Sequence, residues 1–298
     1  MTRSVSLVTL AALLWSTTGT AAFYLAGSLS PFAIGAITFG AGGVVLALLG
    51  GRRSLAVVRD KETTWWVLIG ALGAVVYPVS FYSGMAQAGI AVGNVVALGL
   101  GPLVGALLEW MVDHRAPRKS WWVIAGFALT GVVLMSAGKV ERVAGPLEQA
   151  SSGIVWASIA GLAYGVYTFS LGRIMRAGHT SRAAAGAVFG SAAPFLGALV
   201  VLTVPMVMMP ALHWSLLAYL VMGPMVLAYV SFSAALAKLS ASSVATFALL
   251  EPVGAALLAI LVVGERLSAQ TWWGMLVVVC ALLCLAGAVR VPRGSITA

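Results

Sequence analysis

The sequence predicts an all-α integral membrane protein of ten transmembrane helices, built as two inverted five-helix repeats with both termini cytoplasmic. Three observations carry that prediction: apolar residues run in long blocks, basic residues gather in alternate connections, and the two halves match each other weakly. Hydrophobic residues fill 61% of the 298 positions and charged residues 8%, against about 45–50% and 25% in soluble domains. That leaves too few polar side chains to cover a soluble fold of this length. A block of about 20 apolar residues crosses the ~30 Å hydrocarbon core as a helix. In lipid only helices and closed barrels satisfy every backbone group. Barrel strands would read as ~10-residue alternating segments, and these blocks do not alternate.

Polar or turn-forming breaks place the spans near 5–26, 31–50, 64–86, 90–112, 120–137, 153–175, 182–208, 214–237, 242–263 and 268–289. The first block, from Val5, runs past the length of a secretory leader and lacks a convincing cleavage region, so it reads as span one. Connections are short except for 138–152, which holds Lys139, Glu141, Arg142, Pro146 and Glu148. It reads as an extracytoplasmic linker between a first repeat, 1–137, and a second, 153–290, followed by a cytoplasmic tail, 291–298.

Orientation comes from the cations. With the N-terminus inside, the cytoplasmic segments carry Arg3, Arg52, Arg53, Arg59, Lys61, Arg115, Arg118, Lys119, Arg173, Arg176, Arg182, Lys238, Arg290 and Arg293, and the outer loops only Lys139, Arg142 and Arg266. This is the positive-inside pattern, and a miscounted span would scramble it. The same placement explains the net charge of +9 without nucleic acid, which is not expected as a partner. Tryptophans agree: Trp65 and Trp66, Trp121 and Trp122, and Trp272 and Trp273 open spans, and Trp110 closes one. Indoles settle at the headgroup level. Trp15, near the middle of span one, breaks that rule. Cys280 and Cys284 share a helix face and read as small packing residues.

An ungapped shift of 150 residues lays Leu100–Val112 on Leu250–Val262, with six of thirteen positions identical, Pro102 on Pro252 among them. Five spans per half is an odd number, so the second copy crosses the membrane in the opposite sense. Inverted repeats of this kind place a binding site near the midplane, between the halves.

The second copy reads LLEPVGAALLAILVVGERLSAQTWWG. Its Glu-Pro and Gly-Glu pairs resemble the signature of EamA-type carriers of the drug/metabolite transporter superfamily, and the resemblance extends over the whole chain. Within that superfamily the chain is similar to YddG-type exporters of aromatic amino acids. The resemblance implies secondary transport out of the cytoplasm, and a shared architectural or coupling role for the motif's acid, Glu251.

Glu251 reads as the lone acid deep in a span. A carboxylate there costs at least about 2.5–3.5 kcal/mol when ionised, which leaves two readings: a protonated structural hydrogen-bonder, or a group that couples protons or substrate. Pro102 and Pro252, each removing a backbone donor mid-span, are candidate hinges; Pro78 and Pro224 can kink spans three and eight. Gly101–Gly105, Gly161–Gly165 and Gly186–Gly190 are close-packing motifs. Gly264, Glu265 and Arg266 read as a helix-entry turn before the last span. The candidate substrate-binding set is aromatic: Trp15 and Thr18 in span one, Tyr77, Phe81 and Tyr82 in span three, Asn94 in span four, Tyr164 and Tyr167 in span six. Trp15 and Tyr164 take matching places in the two copies. Buried Tyr and Trp need partners for their OH and NH groups, and a polar-tipped aromatic cavity supplies them.

No enzyme signature, P-loop or metal-ligand spacing appears. His114, His179 and His213 all read as loop residues. No catalytic residue, metal or cofactor is expected. Apart from Arg173 and Arg182 at the cytoplasmic edges of their spans, no Lys or Arg reads as lying within a span, which argues against a sugar-phosphate or nucleotide-sugar exchanger. The expected function is export of apolar or aromatic amino acids (Phe, Trp, Tyr, Met) by alternating access, with a cationic drug or other metabolite as the alternative cargo. The expected partners are a small-molecule substrate and the lipid bilayer, the expected state monomer or homodimer. Arg-rich, Lys-poor composition points to the cytoplasmic membrane of a bacterium.

Overall fold

A computed structural model describes residues 2–25, 28–88, 90–137, 147–203, 210–263 and 267–288, and their regular structure is helical. Ten rods follow one another: α1 (Thr2–Ser16, then Thr18–Leu25), α2 (Pro31–Gly50), α3 (Thr64–Ala88), α4 (Ile90–Asp113) and α5 (Lys119–Ala137), then α6 (Leu147–Arg176), α7 (Ser181–Thr203), α8 (Ala211–Leu236), α9 (Ala241–Ala248, then Glu251–Leu258) and α10 (Ala269–Ala288). Among the described residues nine helices are long and apolar enough to cross a membrane. The tenth, apolar over Lys119–Met135 in α5, sits at the short end of the about 17–25 residues a span needs.

The rods match the ten predicted spans to within several residues. The main difference is α6, which begins at Leu147, inside the stretch read as a linker. Leu147, Glu148, Gln149 and Ala150 are good helix formers directly after a proline in the sequence. The rest of that stretch (138–146), the turn of Gly264, Glu265 and Arg266, and the tail 291–298 lie outside the described residues.

Two rods are broken, and local chemistry explains both. In α1 the Ser16 and Thr17 hydroxyls donate to the carbonyls of Leu13 and Leu14, at 2.6 and 2.7 Å, a back-bonding that competes with the helical ladder. In α9, Pro252 has no N–H and its ring crowds the carbonyl four residues back. The chain therefore turns at Leu249–Leu250, whose amides donate to the Thr246 and Phe247 carbonyls at 3.1 Å, before helix resumes at Glu251. The breaks adjoin, since a Cβ on Gly254 would lie 2.6 Å from Ser16 Oγ. Pro102, the repeat equivalent of Pro252, lies inside an unbroken α4. The two candidate hinge prolines thus sit in different local structure. Pro224 lies in a π-helical stretch, Val221–Leu227, within α8.

Packing follows the repeat. α3 lies against α6, α1 against α8; α4 against α6, α1 against α9; and α2 meets α7, α4 meets α9, α5 meets α10. Exchanging each helix with the one five places later maps this set onto itself, as two related five-helix halves require. Small residues set the closest approaches. On α5 and α10 a Cβ on Gly131 would come 2.8 Å from the Gly274 carbonyl, and one on Gly274 2.6 Å from the Gly131 carbonyl. Such contacts let helices associate in lipid, where no hydrophobic force drives them together.

The outer surface carries the indoles of Trp65, Trp110, Trp122, Trp272 and Trp273. Trp121 departs from expectation. It is buried, with its ring edge-on to Trp122. Cys280 and Cys284 also depart: both are exposed, because α10 turns Gly274, Met275, Val278 and Leu282 inward and leaves the cysteine face outside.

Candidate functional site

The candidate site is a cavity of about 50 Å³ where α1, α2, α3, α4, α6, α8 and α9 converge. Each half delivers its aromatic helix. α1 brings Trp15 and Thr18, α6 brings Tyr164 and Tyr167, and α3 adds Tyr77, Phe81 and Tyr82 at i, i+4 and i+5. The break in α9 places Glu251 on the wall. Thr38, Phe39, Leu98, Pro224, Met225 and Tyr229 complete the lining.

The rings brace one another. Tyr77 stacks on Phe81 with centroids 5.3 Å apart and planes 20° apart, and meets Tyr167 edge-on at 5.6 Å. Trp15 is edge-on to Tyr229 at 5.1 Å. These are the offset and T-shaped geometries that ring quadrupoles favour. Polar tips are partly spent. Trp15 Nε1 donates to the Pro224 carbonyl at 2.8 Å, and the Tyr167 and Tyr229 hydroxyls share a hydrogen bond of 2.7 Å. The hydroxyls of Tyr164 and Thr38 are buried without a hydrogen-bond partner among the described residues. The lining includes no Lys or Arg.

Seven of the eight predicted binding residues come together here. Asn94 does not: it stands one turn from Leu98 on α4, and its buried Oδ1 has no partner among the described residues. Tyr229, Phe39 and Met225 were missed. They lie in spans two and eight; Phe39 and Met225 look like ordinary apolar packing, whereas Tyr229 carried the same mid-span tyrosine signal as Tyr164 and Tyr167.

Glu251 is not the lone acid within the spans. Glu109, near the end of α4, is 6% exposed. Its carboxylate accepts from the Ser242 N–H at 3.2 Å and the Ser242 hydroxyl at 2.7 Å, joining α4 to the start of α9. A turn further on, Asp113 accepts from Arg173 Nη1 at 2.8 Å and from Arg176 Nη2 at 2.6 Å. These arginines lie in the last turn of α6, where Asp113 pairs with both. The expectation that spans hold no cation beyond Arg173 and Arg182 therefore fails at Arg176. Of the histidines only His213 differs from expectation, lying in the first turn of α8; His179 is in the loop after α6, its Nε2 2.9 Å from Asp60 Oδ2. The Glu62 backbone N–H and then His179 hold the Asp60 carboxyl below the usual carboxylate range.

A bundle of lipid-spanning helices, duplicated about a shared buried cavity, is the architecture of a multi-pass membrane transporter. The chain belongs to the EamA-like transporter family, whose profile matches it twice, over residues 2–137 and 151–287. Among its relatives is the uncharacterized transporter YwfM of Bacillus subtilis (strain 168), 30% identical over 295 residues, covering 95% of this chain and 93% of that protein. A solved crystal structure is similar with a TM-score of 0.78 and 23% identity, covering 97% of both chains; that likeness shows the fold. A small-molecule substrate follows from membership of a transporter family.

Proposed function

We propose that the protein exports apolar and aromatic amino acids of the Phe, Trp, Tyr and Met class from the bacterial cytoplasm, by alternating access of its two halves. One observation carries the reading: the cavity between the halves is walled by aromatic rings, with Glu251 and the spare hydroxyls of Tyr164 and Thr38 as its polar points. Rings bind an apolar side chain by stacking, and the hydroxyls and carboxyl hold a polar or ammonium end. Absence of Lys and Arg from the lining disfavours a phosphorylated cargo.

At about 50 Å³ the cavity is well below the ~300 Å³ at which ligand pockets begin. Loading thus requires its walls to separate, and the breaks in α1 and α9 are where we place the bending. Pro252 acts at the α9 break, and its repeat counterpart Pro102 is the candidate hinge within the unbroken α4. The positive-inside distribution supports cytoplasmic termini and repeats over 1–137 and 153–290.

The presence of Glu251 favours one second reading, a cationic amphiphilic drug as cargo. The test is uptake into proteoliposomes of labelled Phe, Trp, Met and a panel of cationic drugs, each with and without a pH gradient. Saturable Phe and Trp transport is expected. Drug transport without amino-acid transport would replace the first reading by the second.

A further inference from the structure

A second opening is larger than the aromatic cavity. A vestibule of about 600 Å³ lies at the end of the bundle where α4, α6, α8 and α10 finish and α5 and α9 begin. Arg115, Arg118, Arg176 and Lys238 line it, together with Glu109 and Asp113. The acids are already committed. Asp113 is held between Arg173 and Arg176, and Glu109 on Ser242. The first amides of α9 are committed too, to Glu109 and to the Ser240 hydroxyl. Arg115, Arg118 and Lys238 face the vestibule without a side-chain partner among the described residues. The Ser243 hydroxyl, which accepts from Ser240 Oγ at 2.9 Å, also lines it, and Ile124, Leu285 and Trp121 give it an apolar wall.

We infer that this vestibule binds a phosphate-bearing anion, with an anionic lipid headgroup as its source. Three unpaired cations lining one vestibule, with the Ser243 hydroxyl as a further donor, match a phosphate's charge and its acceptor oxygens. Arginine forks and a lysine are the side chains that take that group. The apolar wall suits the glycerol and upper acyl carbons of a lipid, which a free phosphate lacks. Basic pockets between membrane helices bind acidic headgroups by this chemistry. The site is separate from the aromatic cavity: no residue lines both.

The test uses the full-length protein purified in detergent. Thermal denaturation is followed with added dioleoylphosphatidylglycerol, dioleoylphosphatidylcholine or inorganic phosphate. Three proteins are compared: the wild type, Arg115→Gln/Arg118→Gln/Lys238→Gln, and Arg52→Gln/Arg53→Gln/Arg59→Gln, which removes equal charge from the short helix Arg52–Arg59. Phosphatidylglycerol should raise the wild-type Tm and phosphatidylcholine should not. The vestibule variant should lose the shift, with affinity falling about 5-fold per cation removed, and the Arg52–Arg59 variant should keep it. A shift from inorganic phosphate with the same dependence on the vestibule residues also supports the site and assigns it a soluble anion. Equal shifts in both triple variants would overturn the inference, leaving only general attraction to a basic face. Native mass spectrometry of Lys238→Gln decides the matter if the triple variant does not fold: unchanged phosphatidylglycerol occupancy overturns the site, and reduced occupancy supports it.

Discussion

Tyr164 is the side chain whose environment is hardest to explain by packing alone. Its ring sits on Gly101 and beside Tyr77, Tyr167 and Phe232, yet its buried hydroxyl has no partner among the described residues. A solute hydrogen bond at that hydroxyl contributes about 0.5–1.5 kcal/mol. Tyr164→Phe should therefore raise KM about 2- to 13-fold with little change in Tm, because the ring contacts survive. An unchanged KM in proteoliposome transport would remove Tyr164 from the binding set. Trp15 and Tyr82 call for substitutions that keep bulk, since truncating a buried aromatic costs about 3–5 kcal/mol by itself. Trp15→Phe removes the donor to Pro224 and should weaken transport, as should Tyr82→Phe. Glu251 separates its two readings through Glu251→Gln: coupling predicts that transport loses its response to a pH gradient, and normal pH-responsive transport would end that idea.

Among elements, α4 and α9 join through Glu109 and Ser242, a buried carboxylate capping the start of a helix. Glu109→Ala leaves the Ser242 N–H and hydroxyl without that acceptor, a loss of about 1–3 kcal/mol, and should lower Tm in detergent. It should also change the ratio of labelling at cysteines placed on either side of the bundle, since α4 and α9 come from opposite halves. On α5 and α10, Gly274→Val should be more damaging than Gly287→Val. A side chain at Gly274 meets the Gly131 carbonyl at 2.6 Å, and nothing lies within 4 Å of a Cβ at Gly287. Overpacking of this kind costs about 1–3 kcal/mol, readable as a Tm difference. The α2–α3 and α6–α7 connections meet where Asp60 faces His179. The Asp60 pKa is depressed in the folded protein, so its stabilisation is present at neutral pH, above the ordinary value of 3.8. It is lost as pH falls through the lower folded-state value. The Tm gap between wild type and Asp60→Asn should accordingly close on acidification below about pH 4.

For the whole molecule, the number of spans, the duplication and most of the aromatic wall were legible in the sequence. Long apolar blocks admit one arrangement in lipid, the paired prolines sit at equal places in both copies, and a mid-span indole such as Trp15 has to be explained by something other than the headgroups. Asn94 was misplaced because its polarity was visible while the rotation of α4 was not. Phe39 and Met225 were missed for the converse reason, as apolar residues in apolar helices, while Tyr229 offered a mid-span hydroxyl whose partner, Tyr167, only the packing supplies. Glu109 escaped notice because it stands close enough to a span end to look solvated, and only its seat against Ser242 shows it buried. Hydropathy and charge are properties of single segments, so the sequence by itself determined the membrane class, the ten spans and the repeat. Tertiary structure alone decided which faces meet, because contacts between helices 60 to more than 200 residues apart depend on rotation and close approach: Trp15 on Pro224, Tyr167 on Tyr229, Arg173 on Asp113.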